Sequence, residues 1–514
     1  MTDTVLPHAL ADLTLDEVVA HWAKATPERP VLEFDPVFGL DPITWGQFEA
    51  HVQGCAEGLE DTIAPGEAVG VVCDDSPEFH ILVNALWRRS AGILLINRTW
   101  GKAVISDLLK LTGCAVLFSP RKDLDAKRYP AFEVCGIPPR SRSSAPISRS
   151  EGNSDAIAIY ATTSGTTDNP KCVPISHRQI RSAYHSCLGV RDFSSVRKAA
   201  SLFPLNGIGV LGVCFLLPRE IGAATYVFPP FNIATISGSW KNLFVQGVDF
   251  VYLVPALVRL LNRIAIPVLR GRRVMAFCAA APVDENDLRS LERTYPLTVY
   301  NVYGLTELTF AVFFGCRAEN GGPSNSIGYP LGVEAKILDG EECPVDEGEL
   351  YLRGPMLTEG YLHNSAATAE MWTTDGWLKT GDLARRDAAG RYYISGRIKE
   401  AVIRGGILYY LHELEHYMRQ APGVIDACAF KGRDLPSGDE LCAVVHADGN
   451  VASAHLLLWI KEHVGEEKVP NVLFVWRREL PRNANGKILR KDLATLYAND
   501  LLSDDVPSSI GTTR

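Results

Sequence analysis

Short apolar runs alternate with longer amphipathic stretches along most of this chain, and that alternation restricts its fold more than any other feature. "AVGVVCDD" (68–75) reads as a buried strand, "SPEFHILVNALWRRSAG" (76–92) as a helix capped by Ser76, and "ILLIN" (93–97) as another strand. "AVLFS" (115–119) and "AIAIYATTS" (156–164) continue the series. A strand that is apolar along its whole length is buried on both faces, so helices must cover it above and below. Strand–helix alternation of this kind predicts parallel sheets in an α/β fold.

The chain has 514 residues, more than one core accommodates, and about three domains or subdomains are expected. "GIPPRSRSSAPISRSEGNS" (136–154) has loop composition and is expected to cross between subdomains. After residue 325 the texture changes. "VEAKILDGEECPVDEGELYLRGP" (333–355) alternates strand and turn signals, as in a small β-subdomain spanning about 325–395. Beyond "YYISGRIKE" a smaller α+β unit follows, with a helix at "LLLWIKEHVGE" and a strand at "NVLFVW". The expected division is a large N-terminal region of two α/β subdomains plus the β-subdomain over 1–398, a mobile C-terminal domain over 399–502, and a flexible tail over 503–514.

Charge narrows the partners. A net charge of −9 supplies no basic field for nucleic acid or an anionic membrane. No apolar run reaches the roughly 20 residues of a membrane span. The start, "MTDTVLPHALADLTLDEVVAHWAK", is acidic and amphipathic and lacks the basic end and apolar centre of a signal peptide. The 12 cysteines are scattered without a CxxC pair, as expected of small buried hydrophobes in a reducing compartment. The expectation is a cytoplasmic protein.

"TTSGTTDNPK" (162–171) sets five hydroxyls and a glycine ahead of Lys171. It follows a strand and precedes a helix that Ser176 can cap, a setting that suits a polyphosphate. Taken alone it is as readily a polar turn, and it is not a Walker A loop, because GxxxxGK[ST] is absent. Four later segments bear on the choice: "NVYGLTE" (301–307), "WLKTGD" (377–382) ending in an aspartate on a turn, "GRIKEAVIRGG" (396–406), and "PRNANGKILR" (481–490) with Lys487 on a loop behind a glycine. Individually Glu307 reads as a surface carboxylate, Asp382 as a turn former and Lys487 as a solvated charge.

In this order the five segments resemble the core motifs of the adenylate-forming superfamily, which includes acyl-CoA synthetases, stand-alone adenylation enzymes and luciferases. The resemblance runs from the N-terminal helix to Lys487, and "VIRGG" is more similar to the acyl- and aryl-CoA ligase branch. It implies attack of a substrate oxyanion on the α-phosphorus of ATP, with pyrophosphate leaving and an adenylate formed. The barrier is mainly electrostatic. By this resemblance Thr163, Ser164, Gly165, Thr166, Thr167 and Lys171 cradle the phosphates. Thr306 contacts the α-phosphate and Glu307 holds Mg²⁺. Tyr303 stacks on adenine, Asp382 takes the ribose hydroxyls, and Arg397 adds a ribose or phosphate contact. Lys487 bridges the attacking carboxylate and the α-phosphate. Asn206, Gly207, Ala279, Ala280 and Gly304 line the acid pocket. Glu400 is the hinge about which the C-terminal domain turns before the acyl group passes to CoA. Gly405 and Gly406 fit a site where pantetheine passes close to the backbone, or equally a tight hairpin.

The pattern is broken in places. Asp168 and Cys172 replace two glycines of the usual TSGTTGxPKG loop. An inward aspartate would repel a triphosphate by on the order of 1 kcal/mol, so Asp168 is expected to face solvent, to help with metal, or to slow ATP binding. In "SLFPLNGIGV" Asn206 stands where an aromatic and a histidine are commoner, and "CAAAP" replaces GGAP, so that Ala279 and Ala280 add methyl groups to the expected tunnel wall. A narrow pocket for a small or aromatic acid follows as an expectation, with neutral repacking as its alternative. "ILYYL" (407–411) departs from the branch on the surface facing the second substrate. Other acceptors therefore stay open: a carrier-protein thiol, or an amine, including a diazotase-like reaction in which nitrite is adenylated for an aryl amine. A catalytically silent nucleotide-binding homologue is a third reading, against which stand Lys171, Glu307, Asp382 and Lys487.

Overall fold

A computed structural model describes residues 13–503 except 74–75, 98–99, 120–132, 137–151, 164–170, 190–191, 204, 206, 230–234, 269–270, 317–322, 324, 405–406, 436–437, 449–450, 464, 466–467 and 484–485. The chain divides into two compact units, Met1–Ala335 with Leu352–Leu378, and Lys336–Tyr351 with Lys379–Arg514.

The first unit holds two sheets. One has six strands in the order Glu133–Gly136, Val116–Ser119, Ala68–Val72, Gly92–Ile96, Ile157–Thr162, Cys172–Ser176. All its pairings are parallel except the last, where Cys172–Ser176 returns antiparallel. Every residue of Gly92–Ile96 is buried, as an apolar strand covered on both faces requires. The other sheet has nine strands, and six of them run parallel: Leu297–Gly304, Val274–Cys278, Phe250–Leu253, Lys198–Ser201, Ala224–Val227 and Pro30–Phe34. Antiparallel strands close both edges, Ala311–Cys316 followed by Tyr329–Pro330 on one side and Ile43–Thr44 on the other.

Local chemistry starts the helices where the sequence signals them. Pro77–Arg88 opens on Ser76, whose hydroxyl accepts from the Phe79 amide, with Pro77 in the first turn and Arg88 in the last. His177–Leu188 opens on a reciprocal capping box between Ser176 and Gln179.

The second unit is built around two further sheets. Strands Glu334–Leu338, Glu347–Arg353, Leu378–Arg386 and Tyr392–Arg397 form one of four strands. The other orders Ile407–Tyr410, Ala401–Arg404, Gly438–Ala447 and Val424–Leu435, with Val472–Trp476 parallel to Gly438–Ala447. Helices Leu411–Gln420 and Ser453–His463 supply Leu414, Met418, Leu456 and Ile460 to its core.

Among the described residues nine cysteines are buried, while Cys135 is half-buried and Cys343 exposed, in keeping with the reading of most of them as core residues. Among the described residues no helix is long and apolar enough to cross a membrane.

Candidate active site

In the first unit, strand Ile157–Thr162 leads into the hydroxyl-rich loop. Ser164, Gly165, Thr166, Thr167 and Asp168 lie outside the described residues. Their flanks are described: Thr162 pairs with Cys172, and the Thr163 amide donates to the Lys171 carbonyl at 3.0 Å. The loop therefore joins two antiparallel strands rather than running from a strand directly into a helix. Strand Cys172–Ser176 intervenes between the loop and helix His177–Leu188. Cys172, the second departure from the usual loop, is buried, and burial pushes its thiol up to about 12.

Strand Leu297–Gly304 delivers the second segment. Tyr303 is buried and meets Phe313 edge to face at 5.8 Å. Gly304 is exposed, yet a Cβ there would lie 2.5 Å from the Phe310 carbonyl oxygen, so only glycine allows the chain to double back so closely. Thr306, Glu307 and Leu308 form one 3-10 turn. Thr309 follows at φ = +65°, a backbone region that β-branched residues rarely enter. The Phe310 amide donates to the Leu308 carbonyl at 2.6 Å, closing a γ-turn about Thr309. The Thr309 hydroxyl donates to the Met356 carbonyl at 2.6 Å, and the Thr358 amide donates to the Glu307 carbonyl at 2.9 Å. These bonds hold the strained turn against the segment 356–362.

That segment carries a residue nothing in the sequence singles out. The Tyr361 hydroxyl donates to Glu307 Oε1 at 2.6 Å, and Lys171 Nζ sits 4.4 Å from the centre of the Tyr361 ring. One tyrosine thus brings together the lysine of the first motif and the carboxylate of the second.

The expected acid-pocket residues lie on neighbouring elements. Gly207 precedes the helical turn Ile208–Leu211, which runs into a π-helical turn, Gly212–Leu216. Asn206 lies outside the described residues. A Cβ on Gly209 would be 3.3 Å from the Tyr252 hydroxyl, and one on Gly212 would be 2.7 Å from the Phe310 ring. Phe203 meets Tyr252 edge to face at 6.2 Å. Aromatic side chains of the protein therefore press against this helix. Ala279 follows strand Val274–Cys278, and Ala280 is exposed with φ = +76°.

In the second unit Asp382 lies within strand Leu378–Arg386 opposite Arg397, not on a free turn. Asp382 is 2% exposed, and its carboxylate accepts from Arg397 Nε at 2.7 Å. Gly381, at φ = +68°, donates its amide to Glu349 at 3.1 Å. Lys487 lies on a short turn. The Asn483 amide donates to its carbonyl at 2.9 Å, and Asn483 Oδ1 accepts from its amide at 2.9 Å. Gly486, at φ = +75°, permits that turn, and Arg482 grips it by donating to the Gly486 carbonyl at 2.6 Å and pairing with Asp426. Burial holds the Lys487 ammonium below the ordinary lysine value. Arg397 and Arg490 push in the same direction, and Glu400 and Asp382 oppose them. Glu400 pairs with Arg490, which also reaches Glu415 at 2.6 Å and the Ala429 carbonyl at 2.8 Å. Burial pushes the Glu400 carboxyl up, but the cations of Arg490, Lys487 and Arg397 outweigh it and leave it below its usual range. Strands Ala401–Arg404 and Ile407–Tyr410 pair antiparallel out to Arg404 and Ile407, with Gly405 and Gly406 outside the described residues.

Among the described residues no group of three or more His, Cys, Asp and Glu side chains could hold a metal by itself. Glu307 as a single hard oxygen ligand suits Mg²⁺, which is commonly held by one or two carboxylates together with substrate phosphates.

Comparison with known proteins identifies the family. A family model described as AMP-binding enzyme matches residues 19–362. A sulfoacetate–CoA ligase of Cupriavidus necator is 30% identical over 417 residues, 77% of this chain and 77% of that one. An oxalate–CoA ligase of Arabidopsis thaliana is 27% identical over 517 residues, 94% of this chain and 98% of that one. The O-succinylbenzoate coenzyme A synthetase of Bacillus subtilis, solved with ATP and magnesium ion, shares the fold with a TM-score of 0.80 at 24% identity, covering 93% of this chain and 98% of that one. The chain therefore belongs to the AMP-binding enzymes of the adenylate-forming superfamily, on the acyl- and aryl-CoA ligase branch, and is an ATP-dependent acid–thiol ligase.

Proposed function

We propose that this protein activates a small or aromatic carboxylic acid as its acyl-adenylate and passes the acyl group to CoA. In the first step a carboxylate oxygen attacks the α-phosphorus of ATP, and the bond to the β-phosphate oxygen breaks, releasing pyrophosphate. In the second the CoA sulfur attacks the acyl carbonyl, and AMP leaves with the carboxylate oxygen it received. The observation that carries this reading is the meeting of Lys171 and Glu307 on Tyr361, two motif residues far apart in sequence brought to one side chain.

Within this reading each motif residue has a task. Lys171 neutralises the β- and γ-phosphates with the loop hydroxyls Thr163, Ser164, Thr166 and Thr167 and the backbone at Gly165. Thr306 contacts the α-phosphate, Tyr303 backs the adenine, and the buried Asp382 accepts from the ribose hydroxyls beside Arg397. Lys487 lowers the repulsion between the two reacting anions. Glu307 would hold Mg²⁺, whose charge offsets that of the departing pyrophosphate. The 3-10 turn Ile398–Glu400 lies at the proposed boundary between residues 398 and 399, and Glu400 is the pivot for the second step. Support for a small acid comes from Tyr252 against Gly209 and Phe310 against Gly212, with Phe203 edge to face on Tyr252.

The test is mass spectrometry of products formed from ATP, Mg²⁺ and a panel of short, aryl and fatty acids, with and without CoA. CoA-dependent thioesters of short or aryl acids are expected. Palmitate turning over faster than these would overturn the narrow pocket, and an adenylate or amide indifferent to CoA would overturn the acceptor. Lys487→Ala should lower acid-dependent pyrophosphate release by about 10²–10³-fold, the usual loss when one donor to a developing anion is removed. Unchanged release would remove Lys487 from the chemistry.

A further inference from the structure

We propose that Tyr361 is a positioning residue that holds the metal-binding carboxylate of Glu307 and the phosphate-binding Lys171 ready for the nucleotide. The proposal rests on the roles given to those two residues above.

Tyr361 is itself held firmly. Its amide donates to the Thr368 hydroxyl at 2.9 Å, in the middle of helix Ser365–Met371. A Cβ on Gly360 would lie 2.4 Å from Thr368 Cγ2, so glycine lets the segment lie against that helix. On one side the segment is fastened to the Glu307 turn through Thr358 and Thr309. On the other the Leu362 amide donates to the Cys172 carbonyl at 2.8 Å, the residue after Lys171, and Gln179 donates to the Leu357 carbonyl at 2.7 Å. Backbone bonds thus fix the tyrosine between the exit of the phosphate loop and the carboxylate.

The phenol takes one carboxylate oxygen of Glu307 in a charge-assisted bond, which restrains the carboxylate plane while leaving Oε2 for a metal. The ring face holds the Lys171 ammonium by a cation–π contact, which at a half-exposed site is weaker than the charge-assisted bond a phosphate would offer. The lysine is therefore kept near the loop without being withheld from the triphosphate.

Tyr361→Phe keeps the ring and removes the hydroxyl, and with it the bond to Glu307. Tyr361→Leu removes both. In the full-length protein, binding of Mn²⁺ in the presence of a non-hydrolysable ATP analogue is followed by electron paramagnetic resonance, and binding of the same analogue in EDTA by calorimetry. Tyr361→Phe should weaken Mn²⁺ binding about tenfold, as loss of an outer partner of a metal ligand commonly does, and leave metal-free analogue binding unchanged. Tyr361→Leu should weaken metal-free binding as well. Glu307→Gln separates the two ideas. If it weakens Mn²⁺ binding and Tyr361→Phe does not, the positioning role is wrong and the metal role stands. If neither variant changes Mn²⁺ binding, both are wrong. A purely structural tyrosine would weaken both kinds of binding equally in the Phe variant, and that result would also overturn the proposal.

Discussion

Ala280 adopts φ = +76° on an exposed turn, where the family more often has glycine. The left-handed region costs a residue with a Cβ about 1–2 kcal/mol. Returning to glycine costs roughly 0.4–1 kcal/mol through the freer unfolded chain. The first term is larger, so Ala280→Gly should stabilise the protein by about 0.5–1 kcal/mol, read as a rise in the denaturant midpoint at constant slope. A fall would mean that the methyl group packs favourably there. At this scale the motif residues were legible as types. Gly304 and Gly486 are glycine for reasons the structure supplies, a carbonyl within 2.5 Å and a positive φ. Tyr361 was not legible, because "TEGYL" resembles any surface turn until its partners, Glu307 and Lys171, are brought to it.

At the scale of elements, strands and capped helices follow the sequence closely, since a strand's apolar run and a helix's cap are local properties. The Ser76 and Ser176 caps and the buried strand Gly92–Ile96 are examples. The strand that follows the hydroxyl-rich loop was not legible locally. Its return as the antiparallel edge strand Cys172–Ser176 depends on pairing with Ile157–Thr162. The helix that follows carries a pH-sensitive contact. His177 Nδ1 accepts from the Leu15 amide at 3.2 Å, which requires an unprotonated Nδ1, and burial, aided by Arg181, lowers its pKa to about 3. The folded state therefore refuses a proton that the unfolded chain takes up below the ordinary value of 6.5, so stability is full above that pH and is lost as pH falls from 6.5 towards 3. The slope is at most about 1.4 kcal/mol per pH unit. His177→Gln, which still offers an acceptor, should flatten the dependence of unfolding free energy on pH between neutrality and about pH 5. His80, lowered first by burial and then by Arg219, leaves a residual slope of the same sign.

At the scale of the whole molecule the charged network of the second unit sets the expectation for alkaline pH. Burial first, then Arg397, lowers the pKa of Lys487 from its ordinary 10.5. On the role proposed for Lys487 as the cation of adenylation, the alkaline limb of pyrophosphate release should lie below pH 10.5. Arg397→Ala should move the limb upward and Glu400→Gln downward, since one cation opposes the lysine charge and one carboxylate supports it. A limb indifferent to both changes would mean that another group sets it.

The sequence by itself determined the α/β class, the family and the order of the motifs, because apolar periodicity, caps and motif residues are encoded within a few positions of each other. Tertiary structure alone decided which of those residues meet. Arg490 holds Glu400 and Glu415, Asp382 lies opposite Arg397, and Tyr361 joins Lys171 to Glu307. Such contacts join residues far apart in the chain, and strand register and backbone turns, rather than spacing along the sequence, bring them within bonding distance.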